Sequence, residues 1–207
     1  FITTNSEIDA QIAMARIAEQ SDDFTRSKEI YEGVLKKRPK HATAYHRLGV
    51  IAAREERPDK ADEYFLKARE YAPHDPEVLA DIGYQHYLQR RLPEAEEVLR
   101  AAVAADPKHQ RSLNNLGLVL GHQGRFDEAL AQFRSGGTEA EAYANLAFVL
   151  AYHGRFEEAK RNYSIALTKN PRLKVAAEAL VELDKVVPDL KPQNPGMIAG
   201  MPGAPGM

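Results

Sequence analysis

The chain lacks cysteine, a large excess of either charge and any long apolar segment, and each absence excludes a class of function. Without cysteine, its 207 residues form no disulfide, no thiolate nucleophile and no cysteine-ligated metal site, which is compatible with the cytoplasm and the periplasm alike. The 28 basic and 30 acidic residues leave a formal net charge of −2, which argues against nucleic acid as a partner. No stretch approaches the roughly 20 apolar residues of a membrane span, so we expect no membrane insertion.

What the chain has instead is a fixed period. Pro39, Pro73 and Pro107 are 34 residues apart, and Pro171 follows 64 residues later, which is two periods less four residues. The same steps of 34, 34, 34 and 30 residues separate five large side chains: Tyr31, Phe65, Leu99, Phe133 and Tyr163. A period in this range indicates a stacked array of helical units. Such arrays work by presenting an elongated surface for binding.

The unit over residues 42–75 shows how the repeat is built. Its first helix carries an apolar face at i, i+3, i+4 and i+7 spacing: Tyr45, Leu48, Gly49 and Ala52. Its second helix starts at Pro58, which suits a first helical turn, and carries a buried stripe of Ala61, Phe65 and Ala68. Pro73 ends the unit because proline cannot continue a helix. We expect the small residues, Gly49 among them, to mark points where two helix backbones pass close together.

This order of residues resembles the tetratricopeptide repeat, whose pattern has an aromatic residue, then Leu-Gly, then alanine, an aromatic, alanine and a closing proline. The resemblance recurs in five units over most of the chain: residues 8–41, 42–75, 76–109, 110–139 and 140–173. It implies an all-α fold, namely a right-handed superhelical solenoid of antiparallel helix pairs closed by a C-terminal capping helix.

Two units depart from the pattern. The first has Met14-Ala15 in place of Leu-Gly, which is typical of a terminal repeat. The fourth is four residues short, about one helical turn. We expect its second helix to stop near Arg134, because Ser135 and two glycines follow. A local change in superhelical pitch is predicted at this point.

The two ends are predicted to differ in order. Residues 1–7 form a lead-in, in which Thr4 and Glu7 have the spacing of a capping box. Residues 174–187 are predicted as an amphipathic helix that caps the apolar end of the solenoid; a membrane-surface helix would need a basic polar face, and this one is largely acidic. Residues 188–207, rich in Pro, Gly and Met, are predicted as a disordered tail, or alternatively as a short linear ligand for a partner.

The resemblance implies where a ligand binds, since the first helices of such solenoids line a concave face that holds extended peptides. Inward residues off the apolar stripe are then the contacts. We predict nine of them: Arg16, Arg47, Arg54, Tyr84, Tyr87, Asn115, Asn145, Phe148 and Tyr152. A clamp of lysines and asparagines for chaperone tails is not matched, because four residues depart from that set: Ile12, Arg16, Arg47 and Glu77.

Two groups within that set have distinct chemistry. Asn115 and Asn145 share a phase and resemble the asparagine ladder of the O-GlcNAc transferase superhelix; an amide offers both a donor and an acceptor to a peptide backbone. Solvated surface amides are the alternative. The four aromatic residues of the set are predicted to form a lining with large apolar faces, with core packing as the alternative.

The histidines point to no catalytic or metal site. Three fall in loops between units, where we expect them to be exposed and inert: His41, His74 and His109. His86 and His122 lie on first helices of different units without a carboxylate at ligand spacing, and a metal site needs several converging ligands. Residues 117–124 contain three glycines but lack the Lys-Ser/Thr of a phosphate loop. We predict no catalytic residue, no metal and no cofactor.

Taken together, these features predict a non-enzymatic scaffold that binds a partner protein or an extended peptide in its concave groove. A few aromatic and arginine anchors would supply the affinity. One alternative is the non-catalytic arm of a larger enzyme of the glycosyltransferase type, against which the low-complexity end at Met207 argues. The other is self-assembly into a homo-oligomer through an exposed apolar end. The start at Phe1 instead of methionine is typical of a fragment or a processed product.

Overall fold

The computed structural model describes residues 4–186, which form eleven α-helices and no strand within that range. The helices are α1 Asn5–Gln20, α2 Phe24–Lys37, α3 Ala42–Arg54, α4 Pro58–Tyr71, α5 Pro76–Leu88, α6 Leu92–Ala105, α7 Gln110–His122, α8 Phe126–Gly136, α9 Glu139–Tyr152, α10 Phe156–Lys169 and α11 Lys174–Val186. The prediction of an all-α fold is confirmed. Helix α1 takes in residues 5–7 of the predicted lead-in, and the predicted tail lies outside the described residues.

The helices stack in chain order, as expected of a solenoid. Each helix packs against the next one along the chain, and the first helices of successive pairs (α3, α5, α7 and α9) also pack against one another. Helix α11 packs on α10 and buries Ala176, Ala179 and Leu183 there, so the predicted C-terminal cap is present. The right-handed sense of the superhelix stays a prediction.

Side chains that precede the first helices hold their starts. Thr4 Oγ1 accepts a hydrogen bond from the Glu7 backbone N–H at 3.3 Å, and Thr138 and Glu141 form a reciprocal capping box on α9. Such bonds satisfy donors that a helix leaves unpaired in its first turn. Histidine does the same for α3 and α7, where Nδ1 of His41 and His109 accepts from the backbone. The expectation that these two histidines are exposed is therefore wrong, since both are half-buried and hold helix starts.

A left-handed backbone residue closes the turn inside each of the five helix pairs. The residues are Asp22, Glu56, Arg90, Gly124 and Gly154, with φ between 56° and 81°. Side chains strain this conformation and glycine does not. The fourth and fifth pairs therefore have the residue that the turn favours, and the first three do not.

The large side chains of the second helices fill the space between the helices of each pair. Tyr31, Phe133 and Tyr163 are buried. At Gly49 the close neighbour is the Phe65 ring, because a Cβ there would lie 2.7 Å from Phe65 Cδ1. This corrects the prediction that two backbones meet at Gly49: the glycine makes room for an aromatic side chain.

The fourth pair ends later than predicted. Helix α8 continues beyond Arg134 through Gly136, and only Gly137 and Thr138 separate it from α9. A Cβ on Gly136 would lie 2.9 Å from Cβ of Leu113, so glycine lets the end of α8 approach α7 closely. The shortening falls on both the helix and the connection: α8 has 11 residues where α4 and α6 have 14, and two residues instead of four lead to the next pair. The predicted change in superhelical pitch stays a prediction.

Candidate functional site

A groove crosses the first helices α1, α3, α5 and α7, and we call it the first-helix groove. It consists of two adjoining cavities of 460 and 310 Å³. Three arginines line both cavities: Arg47, Arg54 and Arg111. The larger cavity lies between α1, α3 and α5 and is mainly polar. The smaller one reaches α7 and has apolar walls from Val50 and Leu88.

Five of the nine predicted contact residues lie together in this groove. Arg16 lines the larger cavity, Tyr84 and Asn115 line the smaller one, and Arg47 and Arg54 line both. The residues come from four helices, so the stacking of the units is what brings them together. The remaining four predicted contacts lie elsewhere.

Arg47 is held by an ion pair between the first two units. Its Nε lies 3.1 Å from Glu19 Oε1, and its guanidinium makes a second contact with Glu19 Oε2. Burial opposes the charged form of Arg47, but the hydrogen bonds to Glu19 outweigh it and raise the pKa of the guanidinium. Tyr31 donates to the same carboxylate at 2.5 Å. Arg47 therefore links α1 to α3 as well as lining the groove.

Asp81 joins the second, third and fourth units. One carboxylate oxygen lies 2.7 Å from His46 Nε2, and the other accepts a hydrogen bond from Arg111 at 2.6 Å. Burial acts to raise the pKa of Asp81, but the hydrogen bond and charge of His46, together with Arg111, lower it below its ordinary value. Asp81 is therefore ionised at neutral pH, and its charge is already balanced by its neighbours.

Asn115 faces the smaller cavity without a partner. Its side chain belongs to a residue that is only 8% exposed, and it makes no hydrogen bond to any residue between 4 and 186. Its amide atoms are not among the fully enclosed polar atoms that lack a partner in the described residues, so they meet the solvent of the cavity. Since the amide lines the cavity, a ligand in the groove could bind it.

The aromatic residues divide between the groove and a separate cluster. Tyr84 lines the smaller cavity and stacks on Tyr87, with ring centroids 5.7 Å apart. Tyr87 Oη lies 3.0 Å from Nε2 of His122, whose ring is 4.2 Å from that of Tyr152. Phe148 packs against the hydrophobic core. The prediction of four lining aromatic residues therefore holds for Tyr84 in the smaller cavity, whereas the other three lie outside it.

His122 is at the centre of that separate cluster, which joins the third, fourth and fifth units. Burial, together with the charges of His153 and Arg90, lowers its pKa to about 4, so the imidazole is neutral at pH 7. Burial also raises the pKa of Tyr87 to about 12. The pair consequently forms a neutral hydrogen-bonded contact between α5 and α7.

The two predicted asparagine contacts lie in different places. Asn145 lines a third cavity of 560 Å³ beside the short connection between α8 and α9, together with Asn114 and Gly137. Asn115 is not part of that cavity. The structure therefore does not place the two amides in one continuous row.

Arg111 and Phe65 are among the groove residues that were not predicted contacts. Arg111 bridges Glu77 and Asp81 of the preceding unit; their opposite charges, 30 to 34 residues apart, are a signal in the sequence that could have identified it. Phe65 reaches the smaller cavity from a second helix. Its place in the repeat pattern indicates only core packing, so no sequence signal would have found it.

Other site types are not supported in the described part of the chain. Among residues 4–186, no three histidine, aspartate or glutamate side chains are grouped so that they could bind a metal ion. No helix in the same range combines the length and apolarity needed to cross a bilayer.

Comparisons with known proteins connect this architecture to a family. The family model described as tetratricopeptide repeat matches residues 12–76 and 81–146. A TPR repeat-containing protein of Pseudomonas aeruginosa is 35% identical over 95 residues, which is 45% of this chain and 16% of that protein. The chain thus spans about one sixth of that relative's length.

Solved structures share the fold over nearly the whole chain. PilW, a type IV pilus biogenesis factor, superposes with a TM-score of 0.74 at 22% identity, over 89% of this chain and 88% of PilW. YrrB, described as a TPR protein with an unusual peptide-binding site, gives a TM-score of 0.62 at 23% identity, over 82% of this chain and 89% of YrrB. At these identities the likeness is one of fold.

Proposed function

The chain belongs to the tetratricopeptide repeat family, and on that basis we propose that it is a non-enzymatic scaffold that holds an extended peptide segment of a partner protein in the first-helix groove. The family's solenoids present surfaces for binding. The groove is the place on the described surface where the predicted contact residues are most concentrated. The function we assign to it is recognition without chemistry.

The observation that carries this proposal is the unpartnered amide of Asn115. A peptide backbone has one donor and one acceptor per residue, and an amide side chain can pair with both. The Asn115 amide faces the cavity and makes no hydrogen bond within residues 4–186, so its donor and its acceptor are both available to an extended peptide. This recognition depends on the backbone of the ligand and is the same for any side-chain sequence.

The walls of the smaller cavity support the same function. Tyr84 presents an aromatic face with a polar tip, a combination favoured at interfaces, and burial raises the pKa of its hydroxyl. Leu88 is 52% exposed at the cavity wall. These residues offer apolar area that a ligand side chain would cover, while Asn115 would fix the backbone beside it.

Selection from a random peptide library tests the proposal. The immobilised chain would be panned against phage-displayed 12-residue peptides, and enriched peptides would be synthesised and their affinities measured by fluorescence anisotropy. We expect Tyr84→Ala and Asn115→Ala each to weaken binding at least about tenfold, the range for contacts of 1.5–3 kcal/mol. The control is Leu66→Ala, since Leu66 is 68% exposed on the second helix α4 and lies outside the groove.

The result can contradict the proposal in two ways. Failure to enrich any peptide over a Tyr84→Ala/Asn115→Ala double variant would remove the groove as a binding site. Enriched peptides that lose affinity with Leu66→Ala but keep it with both groove variants would move the site to the opposite face. Thermal unfolding of every variant checks that losses of affinity do not come from loss of the fold.

A further inference from the structure

The acidic residues of the first-helix groove are already engaged within the protein. Glu19 binds Arg47 and Tyr31, and Asp81 binds His46 and Arg111. Glu77 pairs with Arg111 at 2.8 Å and with His109 at 3.0 Å. Asp75 accepts hydrogen bonds from the backbone of α5. These carboxylates have their partners, so they leave little negative charge to meet a ligand.

Two groove arginines are in the opposite situation. Arg16 and Arg54 line the groove and are exposed, and neither has an ion-pair partner among residues 4–186. Arg54 Cζ lies 5.7 Å from the centroid of the Phe24 ring. A contact with the ring face leaves the N–H edge of the guanidinium open for hydrogen bonds. Arg16 and Arg54 are therefore the groove cations that a ligand carboxylate can pair with.

The apolar wall adjoins this charge. Arg54 lines the same cavity as Val50, Phe65 and Leu88. A cavity of 310 Å³ is at the lower end of the size range of small-molecule sites, which suits one amino-acid side chain better than a large ligand. The cavity thus offers an apolar space with a guanidinium at its border.

We propose that the groove selects peptides in which a carboxylate lies next to an apolar side chain, with the carboxylate on Arg54, the apolar group against Phe65 and Leu88, and a further acidic residue on Arg16. This inference rests on the proposed function and adds the chemical class of the ligand. Guanidinium binds carboxylate through two parallel N–H···O bonds. We assign this carboxylate to an Asp or Glu side chain, because the groove is proposed to hold an extended segment; a C-terminal carboxylate is the outcome that the amide comparison below would show instead.

The composition of the selected peptides provides the first test. Peptides enriched on the wild-type chain should contain Asp or Glu beside an aliphatic or aromatic residue, and a library panned on Arg16→Gln/Arg54→Gln should lose that bias. Enrichment of neutral or basic peptides on the wild-type chain would overturn the charge preference while peptide binding itself stands. Failure to enrich any peptide would overturn the proposed function instead.

A double-mutant cycle provides the second test. Each enriched peptide would be synthesised with a free C-terminus, as the C-terminal amide, and with its acidic residue changed to the corresponding amide. We expect removal of the recognised carboxylate to raise Kd about 10-fold to 100-fold, as for hydrogen bonds to charged groups. Arg54→Gln should raise Kd as much for the acidic peptide and leave the neutral analogue within about twofold, because the interaction is then already absent.

A matched arginine variant is the control. Arg69→Gln changes an exposed arginine of the second helix α4 that also has no ion pair among the described residues, and it should leave Kd within about twofold. Equal effects of Arg54→Gln on the acidic and the neutral peptide would contradict the pairing. The C-terminal amide then separates the two sources: loss with the amide assigns the carboxylate to the chain terminus, and loss only with the side-chain change assigns it to Asp or Glu.

Discussion

A Cβ atom on Gly83 would lie 2.4 Å from Cγ of Leu99. Leu99 is fully buried between the helices of the third pair, and its Cγ is a branch point that cannot swing away as the end of a flexible side chain can. The first helix can therefore pack this closely only because position 83 has no side chain.

Gly83→Ala is expected to destabilise the protein by about 1–2 kcal/mol. Overpacking a buried site lowers the free energy of unfolding by about 1–3 kcal/mol. The better helix propensity of alanine offsets up to about 1 kcal/mol of that loss. Urea unfolding followed by circular dichroism would measure the change. A variant as stable as the wild type would show that Leu99 has room to move.

Two other glycines should respond to alanine in opposite directions. Neither Gly154 nor Gly33 has an atom within 4 Å of a built Cβ, but Gly154 has φ +72° and Gly33 lies inside α2. Gly154→Ala should lower the free energy of unfolding by about 1–2 kcal/mol, because a side chain strains the left-handed backbone there. Gly33→Ala should raise the free energy of unfolding by about 0.5–1 kcal/mol, because alanine is better than glycine inside a helix. Equal effects in urea unfolding would contradict this account, since available space is the same at both sites.

Asn115→Leu should lower peptide affinity without lowering stability. The change replaces an amide that makes no hydrogen bond within residues 4–186 with an apolar side chain of similar size, so the free energy of unfolding should not fall. It also removes the donor and acceptor proposed to bind the peptide backbone. Unfolding and anisotropy measurements on one preparation would check both. Loss of stability would indicate that the amide has a partner within the fold.

The control for this substitution is Asn162→Leu. The Asn162 amide donates to the Glu158 carbonyl at 2.8 Å, outside the groove. That variant should lose about 0.5–1.5 kcal/mol of unfolding free energy, because it loses a hydrogen bond that is made, and it should bind peptide like the wild type.

His122 predicts a pH dependence of stability. Its pKa is about 4 in the folded state and 6.5 as an ordinary histidine, so the unfolded chain binds the proton more readily. The contribution of neutral His122 to the free energy of unfolding is therefore fully present above pH 6.5 and is lost as the pH falls from 6.5 toward 4. At pH 5 the loss is on the order of 2 kcal/mol.

His122→Gln should flatten the unfolding free energy between pH 7 and pH 5. His74→Gln is the control for the substitution itself, because His74 is exposed in a loop outside the His122 cluster. A wild-type slope that persists in His122→Gln would assign the effect to another group.

The sequence predicts the helices well because their cause is local and periodic. Tyr31, Phe65 and Leu99 recur at the interval that places each on the buried side of a second helix, and the structure buries all three. Why glycine is needed at position 49 is harder to predict. A small residue allows the close approach of another helix backbone and the close approach of an aromatic ring equally well.

The candidate site is predicted less completely because side-chain direction depends on partners one unit away. Tyr84 and Tyr87 are both aromatic and three residues apart, yet Tyr84 lines the groove and Tyr87 meets His122 on the next first helix. Arg47 and Arg54 differ in the same way: Glu19 engages Arg47, and no carboxylate engages Arg54 in the described range. These outcomes depend on the stacking of units and not on the repeat pattern.

The exposure of Met14 gives the array a direction in which it can be lengthened. Met14 is 51% exposed, whereas Leu48, at the same place in the next unit, is 1% exposed in a core cluster with Tyr31 and Val34 of α2. A helix pair fused ahead of Thr4 would find a docking face of the same kind on α1. At the other end of the described stack, α11 packs on α10. A helix pair could therefore dock on α10 only if α11 were removed. Within the described residues, α1 therefore presents an uncovered side on which a further helix pair could pack, whereas α11 covers α10.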